Sequence, residues 1–326
     1  MSAPRRVLLV SLDNLGDLAF AGALIAPLRA AGLEVALWAK DYAAELAAFL
    51  PGLARTHASD PFWDRAPGRR AGSPLRFLKT WAEVRRARYD AALLPNTGRR
   101  AALAVRAAGI PRRIGFARRG ASRWLTDVLS AERRDAPVAA EWARLLAPLG
   151  ADPARAALSL SVPPTLAALR ADFAARLGPR ALAIHPFAGD ARRCASSAFW
   201  AEFLRRASPE RVFVFGAPAE SRAFVASLPA LGLPELLTAE ALGARTLTES
   251  LLLLSGCRLF AGHDSGPLHC ACGFGVPALG LYLPGDWPRA MPQGAGPWRA
   301  LRRARPADAD PSEAASLLAQ LEPARG

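Results

Sequence analysis

The sequence predicts an α/β protein of two domains, each a doubly wound parallel sheet, facing one cleft, and three observations lead there. The chain has 326 residues, above the ~250–300 at which a single hydrophobic core usually stops growing, so two domains of about 150 residues are expected. Short apolar runs alternate with Ala/Leu/Arg segments of helical period along most of its length. Two similar turns, at residues 12–17 and 262–269, each lead from an apolar run through acidic and small residues into a helix-like segment.

In the first half, apolar runs at 7–11, 34–39, 89–95 and 112–116 read as strands, and the segments 18–31, 75–87 and 99–108 read as helices. Short apolar strands joined through helices require a mainly parallel sheet covered on both faces. Residues 59–73, rich in Pro, Gly and Arg, read as a basic loop near the C-terminal edge of that sheet, where loops commonly carry binding contacts. Between 150 and 179 the pattern weakens, and Ser159-Leu160-Ser161-Val162-Pro163-Pro164 reads as the linker between domains spanning 1–163 and 164–326. A second series follows, with strands at 180–185, 211–215, 258–261 and 277–282 and helices at 197–207, 218–228, 247–254 and 266–274. Residues 285–298 look irregular, and a closing helix at 312–321 is placed to pack back on the first domain. No internal repeat of ~20–50 residues is present, which argues against solenoids and propellers.

Hydrophobic residues make up 52% of the chain, yet no stretch reaches the ~18 uncharged apolar residues needed to cross a bilayer. Arg5 and Arg6 precede an apolar run, but Asp13 and Asp17 interrupt it before a signal-peptide core forms, so a cytoplasmic protein is expected. The four cysteines, Cys194, Cys257, Cys270 and Cys272, are unevenly spaced and fit reduced thiols better than a disulfide framework. The formal charge is +14, with Lys40 and Lys79 the only lysines. Residues 1–163 hold 25 basic and 14 acidic side chains, against 17 and 14 in 164–326, so the excess sits on the first half. Such a field attracts anionic partners. Nucleic acid, an anionic membrane surface and a phosphorylated glycolipid all qualify on charge, but no nucleic-acid-binding motif appears.

The run Gly262-His263-Asp264-Ser265-Gly266-Pro267-Leu268-His269 has the form of a phosphate cradle. Ser265 and Gly266 open a helix at a strand's end, where backbone N–H groups and a positive helix terminus favour an anion. The earlier turn, Leu12-Asp13-Asn14-Leu15-Gly16-Asp17, holds a single glycine and two carboxylates. A nicotinamide-binding Gly-x-Gly-x-x-Gly turn is therefore absent.

Four signatures occur in order: Leu15-Gly16-Asp17, His185-Pro186-Phe187-Ala188-Gly189, the Phe-Gly-x-Pro-x-Glu turn from Phe215 to Glu220, and Asp264-Ser265-Gly266-Pro267-Leu268-His269. Together they resemble glycosyltransferase family 9, the ADP-heptose:lipopolysaccharide heptosyltransferases, over almost the full length. The resemblance implies a GT-B fold of two Rossmann-like domains, with the nucleotide-sugar donor on the second and the acceptor on the first. It also implies an inverting transfer in which Asp17 is the general base. That role needs a carboxylate within reach of the acceptor hydroxyl, and Asp13 is the neighbouring candidate. The ordinary alternative for Asp17 is a helix N-cap.

On the donor side, the resemblance gives Ser265 and Gly266 to the departing diphosphate, which needs fixed hydrogen-bond donors. Asp264 suits sugar hydroxyls, His269 lies one turn into the helix, and Glu220 matches a ribose contact. The family lysine in the loop after His185-Pro186 is missing. Arg193 takes its place with Arg192 adjacent, and a wider planar head leaves the donor open to differ from ADP-heptose. Asp13, Gly16, Arg192 and Ala188 are secondary candidates. The cluster His263, Asp264, His269, Cys270 and Cys272 lacks known zinc spacing, and no Asp-x-Asp motif occurs, so no metal or other cofactor is expected. The expected activity is transfer of a sugar, heptose first, from a nucleotide diphosphate-sugar to a lipopolysaccharide core or related anionic glycan acceptor. Its expected place is the cytoplasm, with peripheral contact at the inner face of the cytoplasmic membrane. The rival readings are a sugar-nucleotide epimerase of the same architecture and a non-catalytic basic protein that binds nucleotides or nucleic acid.

Overall fold

The computed structural model describes residues 5–64, 72–118, 120–131, 133–229, 232–284 and 287–322. Contacts divide the chain into two units, Met1–Leu158 and Ser159–Gly326. The expected linker at 159–164 thus opens the second unit.

The first unit is a six-stranded sheet in the order β3-β2-β1-β4-β5-β6. Its strands are β1 (Arg6–Ser11), β2 (Glu34–Ala39), β3 (Leu53–Ala58), β4 (Ala91–Leu94), β5 (Arg112–Phe116) and β6 (Asp127–Leu129), all paired in parallel. Val7, Leu8 and Leu9 of β1 are fully buried, as a strand covered on both faces must be. Helices α1 (Leu15–Gly22), α2 (Ile25–Ala30), α3 (Pro74–Ala87), α4 (Arg99–Ala107) and α5 (Val138–Ala143) flank the sheet. Leu8, Val10, Trp38, Phe77, Val84 and Leu94 form one of its core clusters. The single helix expected over 18–31 is two, α1 and α2, with Leu24 at the second N-cap. Pro27 has no N–H to continue the first helix, so the chain restarts around it. β3 and β6 were not expected. Both lie at sheet edges, and Arg55, Thr56 and Asp127 replace the apolar run that marks a central strand. Part of the expected loop at 59–73, residues 65–71, lies outside the described residues.

The second unit repeats the plan in the order β12-β11-β10-β7-β8-β9. Here the strands are β7 (Leu182–His185), β8 (Arg211–Val214), β9 (Glu235–Thr238), β10 (Leu259–His263), β11 (Ala278–Tyr282) and β12 (Trp298–Arg302), again paired in parallel. The helices are α6 (Ala167–Leu177), α7 (Ser197–Ala207), α8 (Pro218–Ala226), α9 (Leu247–Gly256), α10 (Gly266–Gly273) and α11 (Pro311–Ala319). α6 falls where the sequence pattern weakens because only Phe173 and Leu177 are buried on it. β12, at the sheet edge, falls partly within the stretch expected to be irregular. α7 is capped by the Ser196 hydroxyl, which accepts from the Phe199 amide. Its Phe199, Trp200, Phe203 and Leu204 share one core cluster with Ala314, Leu318 and Leu321. The closing helix α11 therefore buries its apolar face within the second unit, where it had been expected to return to the first.

In each sheet the strand order reverses, between β1 and β4 in one unit and between β7 and β10 in the other. At such a point the following connections leave in opposite directions and open a crevice at the carboxyl ends of the strands. Asp13 and Asn96 follow β1 and β4, while Pro186 and Asp264 follow β7 and β10. Trp200 has no exposed surface, and Trp200→Ala should cost about 3–5 kcal/mol in urea unfolding followed by circular dichroism.

Candidate functional site

In the first unit the turn after β1 does not use its aspartates as caps. The N-cap of α1 is Asn14, and Asp17 stands inside the first turn, with Gly16 before it. Tyr42 closes the helix start: its hydroxyl accepts from the Leu15 amide at 3.1 Å and donates to Asn14 Oδ1 at 3.2 Å. The N-cap reading of Asp17 is thereby corrected.

Asp13 faces a pocket of about 390 Å³ lined by Leu12, Trp63, Asn96, Gly98, Arg99 and Arg100 among others. Asn96 Nδ2 donates to Asp13 Oδ1 at 2.8 Å, and Arg118 Nη1 donates to Asn96 Oδ1 at 2.8 Å. Burial pushes the Asp13 carboxyl up to about 7, the charge of Asp17 pushes the same way, and Lys40, Asn96 and Arg118 oppose them. Buried Lys40 itself is paired with Asp64. Sequence reasoning missed Asn96, Arg118 and Tyr42. The run Pro95-Asn96-Thr97-Gly98 between a strand and a helix was a signal of the same kind as the two turns it did use.

In the second unit, Gly262 of β10 lies in register with His185 of β7, so the segments after both strands start side by side. No side chain caps α10: Ser265 occupies the N-cap position, but its hydroxyl turns back to donate to the His263 carbonyl at 2.9 Å. Pro267 in the first turn has no N–H to offer. Asp264, with its side chain only 8% exposed, receives the Arg193 guanidinium on its carboxylate. Arg193 also donates from Nε to the Pro284 carbonyl at 3.0 Å. On the other side, His269 Nε2 stands 3.8 Å from Asp264 Oδ1. Arg193, Asp264, Ser265 and His269 are thus brought together. Arg192 is not: its guanidinium grips Asp190 in the same loop, and these bonds hold that carboxyl at about 2. Glu220 is exposed in the first turn of α8, and its charge is felt at the Cys194 thiol, as is the hydrogen bond with the Ala188 backbone.

Two imidazoles complete this end of the sheet. His185 Nδ1 donates to the Phe215 carbonyl at 2.8 Å, and burial brings its pKa down to about 4. His263 Nε2 accepts from the Ala195 amide at 3.1 Å, and burial, then His185, lower its pKa to about 3. Both are therefore neutral near pH 7. Cys270 and Cys272 are buried, and burial keeps their thiols protonated.

Residues 77–303 match the family model for glycosyltransferase family 9 (heptosyltransferase). The chain belongs to glycosyltransferase family 9. No curated protein sequence matches it. Among solved structures, Escherichia coli ADP-heptose LPS heptosyltransferase II aligns with a TM-score of 0.76 at 18% identity, over 97% of this chain and 98% of that one. E. coli heptosyltransferase WaaC with ADP aligns at 0.68 and 16%, over 97% and 99%. A family 9 transferase from Veillonella parvula aligns at 0.74 and 15%, over 92% and 86%. These likenesses give the GT-B fold, and membership of the family makes the protein a glycosyltransferase.

The raised pKa of Asp13 has a definite sign in stability. Between about 4 and 7 the folded carboxyl keeps a proton that the unfolded chain has released, so its contribution to stability falls as pH rises through that window. Asparagine mimics the protonated acid and still accepts from Asn96. Asp13→Asn should therefore melt above the parent by an amount that grows from pH 5 to pH 8, reaching about 2–4 °C for each ~1 kcal/mol recovered. A melting difference independent of pH would remove the perturbed carboxyl.

Proposed function

We propose that this family 9 transferase moves a sugar, heptose being the first candidate, from a nucleotide diphosphate-sugar to an anionic glycan or glycolipid acceptor of the lipopolysaccharide-core type. The donor falls to the second unit and the acceptor to the first. The observation that carries the reading is the uncapped start of α10 at the strand-order reversal, with Arg193 beside it. A helix start without a side-chain cap presents backbone N–H groups and positive partial charge to a phosphate. Arg193 adds a planar fork suited to two phosphate oxygens. E. coli heptosyltransferase WaaC, which shares the fold, is seen with ADP and with ADP-2-deoxy-2-fluoro heptose, which favours an adenine nucleotide donor.

The proposed chemistry is a single displacement. As the acceptor oxygen attacks the anomeric carbon, Asp17 takes the hydroxyl proton, the bond from that carbon to the diphosphate oxygen breaks, and the electron pair leaves with the diphosphate. Fixed donors at Gly266 and Arg193 stabilise the charge that develops there. Asp264 and Glu220 serve the sugar and ribose hydroxyls, and His269 supports Asp264. Asp13, a carboxyl that binds a proton near neutrality, stands next in line for the proton taken by Asp17. Positive charge facing the leaving diphosphate comes in this reading from Arg193 and the start of α10, without a divalent cation.

Asp17→Asn should lower turnover by about 10²–10⁴-fold while calorimetry shows donor affinity within a few-fold of the parent. Retained turnover would remove Asp17 from the base role. Arg193→Ala should weaken ADP-sugar binding by about 10- to 100-fold, the usual range for a hydrogen-bonded charge. Saturable, EDTA-insensitive binding of one sugar nucleotide from an ADP, UDP, GDP and CDP panel is expected, and silence across the panel would overturn the assignment.

A further inference from the structure

One face of β10 changes character at its last residue. Leu259 and Ala261 belong to the apolar cluster that holds Trp200 and Leu204 of α7, and the two-residue period of a strand puts His263 on the same side. Its ring meets the Trp200 ring edge-on at 5.8 Å, and only 1% of the residue is exposed. A leucine would continue this face. A buried imidazole costs solvation free energy that a leucine does not, so the ring must have a polar partner.

That partner is the Ala195 amide, which donates to His263 Nε2 at 3.1 Å. An accepting Nε2 carries no proton, so the ring is the neutral tautomer with its proton on Nδ1, in keeping with a pKa that burial brings down to about 3. Ala195 lies between the turn Ala191–Arg193 and the Ser196 cap of α7. The turn closes on itself through Asp190, whose carbonyl accepts from the Arg193 amide at 3.0 Å and whose carboxylate holds Arg192. Among the described residues, the hydrogen bonds that tie 190–195 to the unit beyond 186–196 come from Arg193, to Asp264 and Pro284, and from Ala195, to His263. Two consecutive residues, His263 and Asp264, thus grip this loop at two points. One grip is on a side chain that a phosphate can draw away, and the other is on a backbone amide that it leaves in place.

We infer that His263 is a positioning residue for Arg193: by accepting from the Ala195 amide it keeps the loop seated when the Arg193 guanidinium turns from Asp264 to a phosphate. A charged group on a flexible stem binds more tightly when its backbone is fixed beforehand, because less freedom is lost as the ligand arrives. The role rests on the proposed donor reading, in which Arg193 meets the diphosphate, and His263 acts through Arg193 rather than on the ligand.

The test is calorimetry of the full chain with ADP, beside hydrogen exchange of the ligand-free protein, for His263→Leu, His263→Gln, Arg193→Ala and the double variant of His263→Leu with Arg193→Ala. His263→Leu removes the acceptor and should weaken ADP binding about tenfold, yet add no further loss where Arg193 is already alanine. His263→Gln carries a side-chain carbonyl that can accept from the same amide, and it should bring affinity back to within about threefold of the parent. Without ligand, the amides of 190–195 should exchange faster in the leucine variant and near the parent's rate in the glutamine variant. An equal loss of affinity with and without Arg193, a glutamine variant no better than the leucine one, or unchanged exchange across 190–195 would overturn the inference, because the histidine would then serve packing alone. Undiminished ADP binding in Arg193→Ala would overturn the donor reading and this role with it. Unchanged binding in His263→Leu beside a weakened Arg193→Ala would remove His263 and leave the donor reading intact.

Discussion

The placement of the candidate site residues is governed by a constraint on parallel sheets. A connection from one parallel strand to the next must cross a face of the sheet, so the carboxyl ends of the strands are free of crossings wherever the strand order reverses. Both units reverse once, and in both the buried central strands deliver their chain to that spot. The interior on either side is closed by Trp38 and Phe77 in one unit and by Trp200 and Phe203 in the other. Among the described residues, Asp13 and Asn96 in one unit and Arg193 and Asp264 in the other gather where the backbone is both held by the sheet and open.

The two units use this place with opposite electrostatics. In the first, carboxylates sit close together under partial burial, and the consequence is a raised proton affinity at Asp13. In the second, neutral histidines, an uncapped helix and an arginine surround one carboxylate, which favours a bound anion. A transfer reaction asks for this division, since one reactant must lose a proton while the other departs with negative charge. The division rests on burial as much as on residue type: burial lowers the pKa of His185 to about 4 and that of His263 to about 3, so both stay neutral even in mild acid, where an exposed imidazole would take up a proton.

Much of this architecture was legible in the sequence, and the failures have physical causes. β2, β4 and α7 stand where their residues place them, because these central strands are apolar along nearly all of their length and α7 carries both a serine cap and an apolar face. β3, β6, β9 and β12 lie at sheet edges or half exposed, so no apolar run announces them. At the site, the turn at Asp264 declares itself by local sequence alone. Asn96 and Arg118 could not be linked to Asp13 in that way, because strand pairing and not proximity in the chain brings them together. Counting along the sequence gave Arg193 the lysine's place, but it could not show what holds Arg192 aside. Asp190 does so, by gripping the Arg192 guanidinium within its own loop.

The grip of Arg193 on Asp264 sets a condition on whatever ligand arrives. Asp264 has 8% of its side chain in contact with solvent, so water offers little relief if the guanidinium turns to a phosphate. A bare phosphate that draws Arg193 away leaves a largely desolvated carboxylate without its cation, which is costly. A ligand that also brings hydroxyl groups can return hydrogen bonds to that carboxylate in the same event. If the pair holds the donor as proposed, it would act as a coincidence detector, favouring molecules that carry a phosphate and a polyol together over those that carry either one alone.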